Sequence, residues 1–358
     1  MTTKAIGKNH RRALLYLLLL AAAIGLPLVF TRTFLRNMFI LIGIWSIAGI
    51  GWNFIGGYAG QVSIGHAMFF AIGMYTPAAL FDLYKITPLL AIPLGMLIAA
   101  LVAVLVGIPL LRLHGPQFSI ATMALTECTR YIFINWQALG GSSGISIFSK
   151  KVNKYLYLQL SANNDKVIYY YIVLAVVVGL IAFTLWLDKS RFGYALRTIS
   201  GNENAAESVG IHTARTKAEA FALSAMVTSL YVQYIQYVDP YTSSTRSVSL
   251  MICLVTVMGG CGTVFGPVVG ATVLTYISQN TRVWFGGTGI GLIIYGALVI
   301  LVVLFLPKGV LSIPGILKND FQRRRHLPHD DSQCKAHSEG GARDQELRRI
   351  GRQRGHQL

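Results

Sequence analysis

Long apolar runs separated by short polar or glycine-rich breaks dominate the chain from Ala13 to Phe305. Taken as spans, they fall at 12–30, 35–55, 67–82, 88–111, 117–136, 168–187, 217–238, 247–258, 264–280 and 289–306. A helix needs roughly 20 apolar residues to cross about 30 Å of hydrocarbon, and lipid obliges it to satisfy its backbone polar groups internally. The pattern therefore predicts an all-α polytopic integral membrane protein with about ten membrane spans. The spans at 67–82 and 247–258 are short and abut glycine-rich stretches, so each reads as a half-helix or a tilted piece. The first run follows Lys4, Lys8, Arg11 and Arg12 in the manner of a signal peptide. No small-residue cleavage site leading into a soluble domain follows, and the run is expected to remain as a span.

Two breaks stand out. Gly57, Gly60 and Gly65 interrupt an apolar segment around Gln61, Ser63 and His66, with Gly73 further on. In the C-terminal half, Gly259, Gly260, Gly262 and Gly266 form a second such stretch and introduce another span. Glycine frees the backbone to leave the helix, and a broken helix at membrane depth must be covered by protein or line a wet cavity. Paired breaks in two halves point to an internal repeat and to a translocation path beside them. Small residues also let helices pack closely, and one segment can do both. His66 alone reads as a packing or hydrogen-bonding residue rather than a proton relay. Glu127 and Arg130 stand three apart inside the span 117–136, close enough to pair on one face. A charge at mid-bilayer costs on the order of 2.5–3.5 kcal/mol, so this pair is expected to face protein or water, either as a helix-to-helix lock or beside the path.

Composition agrees with lipid as the solvent: 54% of residues are hydrophobic, only 13% are charged, and the mean hydropathy is +0.55. The net charge of +17 would point to nucleic acid in a soluble protein. In a membrane protein, basic residues instead fix orientation, and no nucleic-acid partner is expected. Lys189, Arg191, Arg197, Arg215 and Lys217 crowd the segment 188–217, which orients that segment and both termini toward the cytoplasm. Cys128, Cys253, Cys261 and Cys334 have no paired spacing, so neither a disulfide framework nor a metal site is read from them. No Walker A loop occurs, nor any arrangement of nucleophile and base, so neither catalytic residues nor a bound cofactor is assigned to the chain.

The insert at 188–217 is the least expected feature of so apolar a sequence. Within it, Glu203 and Glu207 share one helical face, Ala205, Ala206 and Val209 sit beside them, Asn202 or Asn204 can cap the helix, and Gly210 can end it. Connections between packed helices are usually about 2–8 residues, and a longer one with its own helix more often docks a partner.

The segment "FGYALRTISGNENAAESVGIHTARTKAEAFALSA" resembles the cytoplasmic loop of LivM-type permease subunits of bacterial branched-chain amino acid ABC importers. Further blocks are similar to that family in the same order: "GYAGQVSIGHAMFFAIGMYTPAAL", "LRLHGPQFSIATMALTECTRYIFINW", "LGGSSGIS" and "VMGGCGTVFGPVVGA", which together cover about residues 35–310. The chain departs from the family at Leu139–Ser143, where a Thr-Gly-Gly is common, and beyond Asn319.

The resemblance implies a permease core at 35–310. It follows an N-terminal segment and first span at 1–34 and precedes a basic cytoplasmic tail at 311–358. It implies a coupling surface of Arg197, Asn202, Glu203, Ala205, Ala206, Glu207 and Gly210; the path near Gln61, Ser63, His66, Glu127, Arg130, Gly140 and Gly141 is expected instead from the glycine breaks and intramembrane charges, and the resemblance does not decide whether Glu127 and Arg130 touch the solute. It also implies ATPase subunits that bind ATP and Mg, a second permease subunit, an extracytoplasmic solute-binding protein and residence in the bacterial inner membrane. The competing expectation is an ion-coupled secondary transporter working without an ATPase, for which only Glu127 offers an intramembrane carboxylate.

Overall fold

The computed structural model describes residues 21–27, 29–30, 32–84, 86, 88–113, 115–146, 165–230 and 237–285, with isolated positions between 293 and 310. These lie in one unit, Met1–Ser312. The expected spans at 12–30 and 289–306 fall largely outside the described residues, and the tail at 311–358 entirely so.

Helix α1, Thr33–Asn53, occupies the centre and continues into a π-helical turn at Phe54–Tyr58. Its position follows from its small residues. Gly43 faces Val173, Gly49 faces Val255 and Pro267, and Gly51 faces the backbone of Thr228, so four neighbouring helices approach α1 where no side chain holds them off. Ile40, Ile44, Ile47, Ile50 and Trp52 fill the remaining space and are buried.

After an extended stretch, α2 runs from His66 to Tyr84 and α3 from Pro88 to Leu110. Helix α3 is apolar all round, with two faces of different size. Ala91, Ala99 and Ala103 are buried, whereas Leu90, Leu97, Leu101, Leu105 and Ile108 are exposed, as a lipid-facing side requires. Helix α4, Pro116–Asn135, carries Thr122, Thr126, Glu127 and Arg130 and is the most polar of the long helices before the hydrophilic insert. Helix α5, Asp165–Asp188, leads into that insert.

Within it, α6 spans Arg191–Gly201 and α7 spans Glu203–Ser208, and α8 then runs from Thr213 to Thr228. A four-residue turn, α9 (Pro240–Ser243), precedes α10 (Arg246–Gly259) and α11 (Gly266–Phe285). Strands β1 (Ile145–Ser146) and β2 (Tyr237–Val238) pair antiparallel, Ile145 opposite Val238.

By length and apolarity, four segments among the described residues qualify to cross a membrane: Thr33–Tyr58, His66–Tyr84, Leu90–Leu110 and Lys166–Asp188. Two boundaries differ from the sequence reading. The span expected at 217–238 starts earlier, at Thr213, and its helix stops at Thr228. The segment 188–217, expected to hold one short helix, also contains α6, because Ser190 caps it and Gly193, Leu196 and Ile199 bury one side of it.

Candidate coupling surface and translocation path

The hydrophilic insert is strapped to the bundle rather than hung from it. Ser190 Oγ accepts the Gly193 N–H at 3.2 Å and starts α6, while Arg197 pairs with Asp188 and lies 5.6 Å from the Tyr58 ring centroid. Asn202, rather than Asn204, is the cap of α7, its Oδ1 accepting the Ala205 N–H at 3.2 Å. The helix ends in a Schellman arrangement. Gly210, at φ +84°, donates to Glu207 O, and Ile211 donates to Ala206 O, which satisfies two carbonyls that the helix end would leave unpaired.

Ala206 is buried, whereas Ala205 lies on the exposed side and Val209 is 73% exposed at the tip. Both glutamates reach across to α8, Glu207 from an exposed position. Glu203 pairs with the buried Lys217, and Glu207 Oε1 accepts the Thr213 hydroxyl at 2.5 Å. An open depression of about 650 Å³ lies alongside, lined by Glu207, Gly210, Ile211, His212, Thr213 and Arg215.

One stripe of α8 continues from these contacts into the core. Thr213, Lys217, Ala220, Phe221, Ser224 and Thr228 recur at helical spacing and are all buried. Phe221 packs edge-on against Phe69 and Phe118. Ser224 Oγ donates to Gly51 O at 2.7 Å, so its one proton is used, and it accepts from His66 Nε2 at 2.7 Å. His66 Nδ1 then accepts from Ser63 Oγ at 3.1 Å, and Ser63 Oγ accepts the Gly65 N–H at 3.3 Å. This network assigns a neutral imidazole with the proton on Nε2. His66 is fully buried, with both ring nitrogens engaged, and ties α1, α2 and α8 together.

The two glycine breaks interlock. Asn53 Nδ2 donates to Thr263 O at 2.9 Å, and Asn53 Oδ1 accepts the Gly262 N–H at 2.9 Å, so one amide satisfies both polarities of the second break. A Cβ on Gly57 would come within 2.5 Å of Gly262 N. Gly60 lies against Ser200 at the end of α6, which brings the first break to the insert as well. Within the second break, Thr263 Oγ1 donates to Gly260 O and accepts the Gly266 N–H, and Gly259 packs on Gly266. The extended stretch before α2 is pinned from other helices: Ser119 Oγ donates to Val62 O, Thr122 Oγ1 accepts the Ile64 N–H, and Ser249 Oγ accepts the Ala67 N–H. Gln61 is partly buried in this stretch and donates its N–H to Ile55 O.

Glu127 and Arg130 pair at 2.6 Å, and Arg246 at the start of α10 also reaches Glu127, at 2.8 Å. Gly140 (φ +79°) and Gly141 (φ +54°) turn the chain from α4 toward β1. The sequence reading did not single out Asn53, Lys217, Ser224 or Arg246. Asn53 and Ser224 left a signal as polar residues inside apolar runs, but Lys217 and Arg246 looked like ordinary flanking charges. Among the described residues no group of His, Cys, Asp and Glu could hold a metal ion.

Helices of this apolarity belong in a bilayer, and interlocked helix breaks within them are a feature of multi-pass membrane transport proteins. A family model described as the permease component of the branched-chain amino acid transport system matches residues 34–303, and the chain belongs to that family. It is 27% identical over 330 residues to the high-affinity branched-chain amino acid transport system permease protein LivM of Salmonella typhimurium, covering 86% of this chain and 76% of that one. LivM of Escherichia coli K12 gives the same figures. The Pseudomonas aeruginosa permease BraD is 24% identical over 76% of this chain and 93% of its own. No solved structure matches the chain. Membership makes the chain a permease of an ABC importer and sets aside the ion-coupled carrier.

Proposed function

We propose that the chain moves a branched-chain amino acid, or a similar small polar solute, into the cytoplasm by alternating access, and that ATPase subunits drive it through the surface at 201–212. The observation that carries this reading is the strap of α7 onto α8, whose buried stripe ends on His66 and Gly51 beside the helix breaks. A displacement of α7 is delivered along a rigid element to the place where α1 and α2 are least regular. That is the kind of bistable element an input must bias.

In this reading the exposed tip, Ala205, Val209 and Gly210, meets the ATPase, while Asn202, Glu203, Ala206 and Glu207 hold the helix in its pose and Arg197 ties α6 to Tyr58. ATP and Mg stay on the ATPase subunits, and the chain binds no cofactor of its own. The paired glycine breaks, Gly57, Gly60 and Gly65 in one half and Gly259, Gly260, Gly262 and Gly266 in the other, meet at Gly57 and Gly262 and favour an internal repeat, with Gln61, Ser63, His66, Glu127, Arg130, Gly140 and Gly141 arranged along the path. A second permease subunit, an extracytoplasmic binding protein and about ten spans with both termini cytoplasmic complete the assembly.

Replacing Glu203, Glu207 and Gly210 together tests this. The triple variant should insert into the membrane normally, yet lose solute uptake while the ATPase still hydrolyses ATP. Uptake at the unsubstituted rate would overturn the coupling role.

A further inference from the structure

The cluster on α4 and α10 is unbalanced in charge. Glu127 presents one oxygen to Arg130 (Oε2, 2.6 Å) and the other to Arg246 (Oε1, 2.8 Å), so two guanidinium groups share a single carboxylate. Arg130 Nε is buried and has no hydrogen-bond partner among the described residues, and Arg246 is 57% exposed. Arg246 also opens α10, whose first turn contains no acidic residue, so the positive end of that helix dipole adds to the excess. Glu127 lies in the middle of α4, a place where charge must face protein or water rather than lipid. An ion pair placed only to tie two helices would be better served by equal charges. This one has donors left over.

Resting on the permease reading above, we infer that Glu127, Arg130 and Arg246 form a receiving site for a zwitterionic α-amino acid. The exchange balances. The solute's ammonium takes the Glu127 oxygen now held by Arg246, and the released Arg246 guanidinium, with its two-pronged geometry, takes the solute's carboxylate while Arg130 keeps Glu127 ionised and in place. Each charge of the solute meets its opposite, and the internal pair re-forms when the solute leaves. Tyr131 beside Arg130 and Leu250 one turn from Arg246 are exposed and offer apolar surface to a branched side chain. Urea or a simple amide has no charges to trade and would have to part the ion pair without compensation. The site therefore selects amino acids over neutral amides.

The test uses the complete importer, with its partner permease, ATPase and binding protein, in proteoliposomes supplied with ATP. Arg246→Gln removes the guanidinium that would take the solute's carboxylate and leaves the Glu127–Arg130 pair intact, so no unpaired ion remains to destabilise the fold. The site predicts that L-leucine uptake falls at least about tenfold, as the loss of a charge-assisted contact implies, with ATP hydrolysis still stimulated by the loaded binding protein. Uptake at the native rate would mean that the cluster merely ties α4 to α10, and would overturn the inference while leaving the permease reading intact.

A second measurement needs no variant. Phenylglyoxal modification of Arg246 in the native assembly, followed by mass spectrometry of the adduct, should slow at least about threefold with L-leucine present and not with leucinol, which keeps the ammonium but lacks the carboxylate. Equal modification rates in both would also overturn it. ATP-independent uptake by the native assembly would instead count against the underlying reading.

Discussion

Asn53 shows how much one side chain can decide in a lipid-exposed fold. Its amide answers a free N–H and a free carbonyl of the opposite break, groups that water would otherwise have to reach. Asn53→Ala strands both and should cost about 1–3 kcal/mol for each group left unsatisfied, read as a lower melting temperature of the purified protein in detergent. Asn53→Asp keeps the acceptor toward Gly262 but sets a buried carboxylate against the Thr263 carbonyl, and should destabilise at least as much. At Gly73 the constraint is steric, since a Cβ would run into the Ser229 carbonyl. Gly73→Ala should therefore lower folded yield, whereas the same change at Gly179, which has nothing within 4 Å, should leave it unchanged.

Such contacts were only half legible in the sequence. The glycines announced breaks by their clustering, but that Gly57 and Gly262 meet depends on two segments some two hundred residues apart, and no local pattern encodes that pairing. The ion pair between Glu127 and Arg130 followed from helical spacing, whereas the reach of Arg246 to Glu127 did not.

At the scale of elements, α7 was the most readable, because caps and stop signals act within a few residues. The cap, narrowed by sequence to Asn202 or Asn204, and the stop at Gly210 follow from such local chemistry, whereas the choice of Ala206 over Ala205 as the buried alanine does not. The partners of its glutamates were hidden, because Lys217 and Thr213 belong to the next helix, and a lysine in a charged stretch reads as solvent-facing. Lys217 is buried instead, with its charge answered by Glu203. Removing one member of such a pair leaves the other without compensation, while removing both relieves it. Lys217→Met and Glu203→Gln should each destabilise the protein, and the double variant should lose less than the sum of the two, a coupling of about 0.5–3 kcal/mol in a double-mutant cycle of thermal or denaturant unfolding. Additivity would show that α7 is not held by this contact.

For α8 the apolar pattern correctly gave a buried helix, but its end was misplaced. Leu230, Tyr231 and Val232 resume the apolar run beyond the small polar Thr228 and Ser229, and two such residues do not by themselves mark a helix end, so the point where the last turn closes on Ser229 was not legible.

On the scale of the whole molecule, the proposed coupling makes the arrangement a relay. The insert is fastened to α8, α8 is fastened through Ser224 to His66 and Gly51, and those residues adjoin the stretch where α1 gives way to α2. Breaking the relay in its middle should separate motor from cargo. Ser224→Ala leaves the insert and its partners untouched but removes the hydroxyl that joins His66 to Gly51. Solute moved per ATP hydrolysed should fall severalfold, with the ATPase still bound.

The most direct measurement is that ratio, taken in proteoliposomes holding the complete importer, for the native chain and for Val209→Asp, which places a charge at the tip of α7 where the side chain is 73% exposed. The account predicts tight coupling of leucine uptake to ATP hydrolysis in the native assembly and near-complete loss of uptake in the variant. Native coupling in Val209→Asp would contradict it.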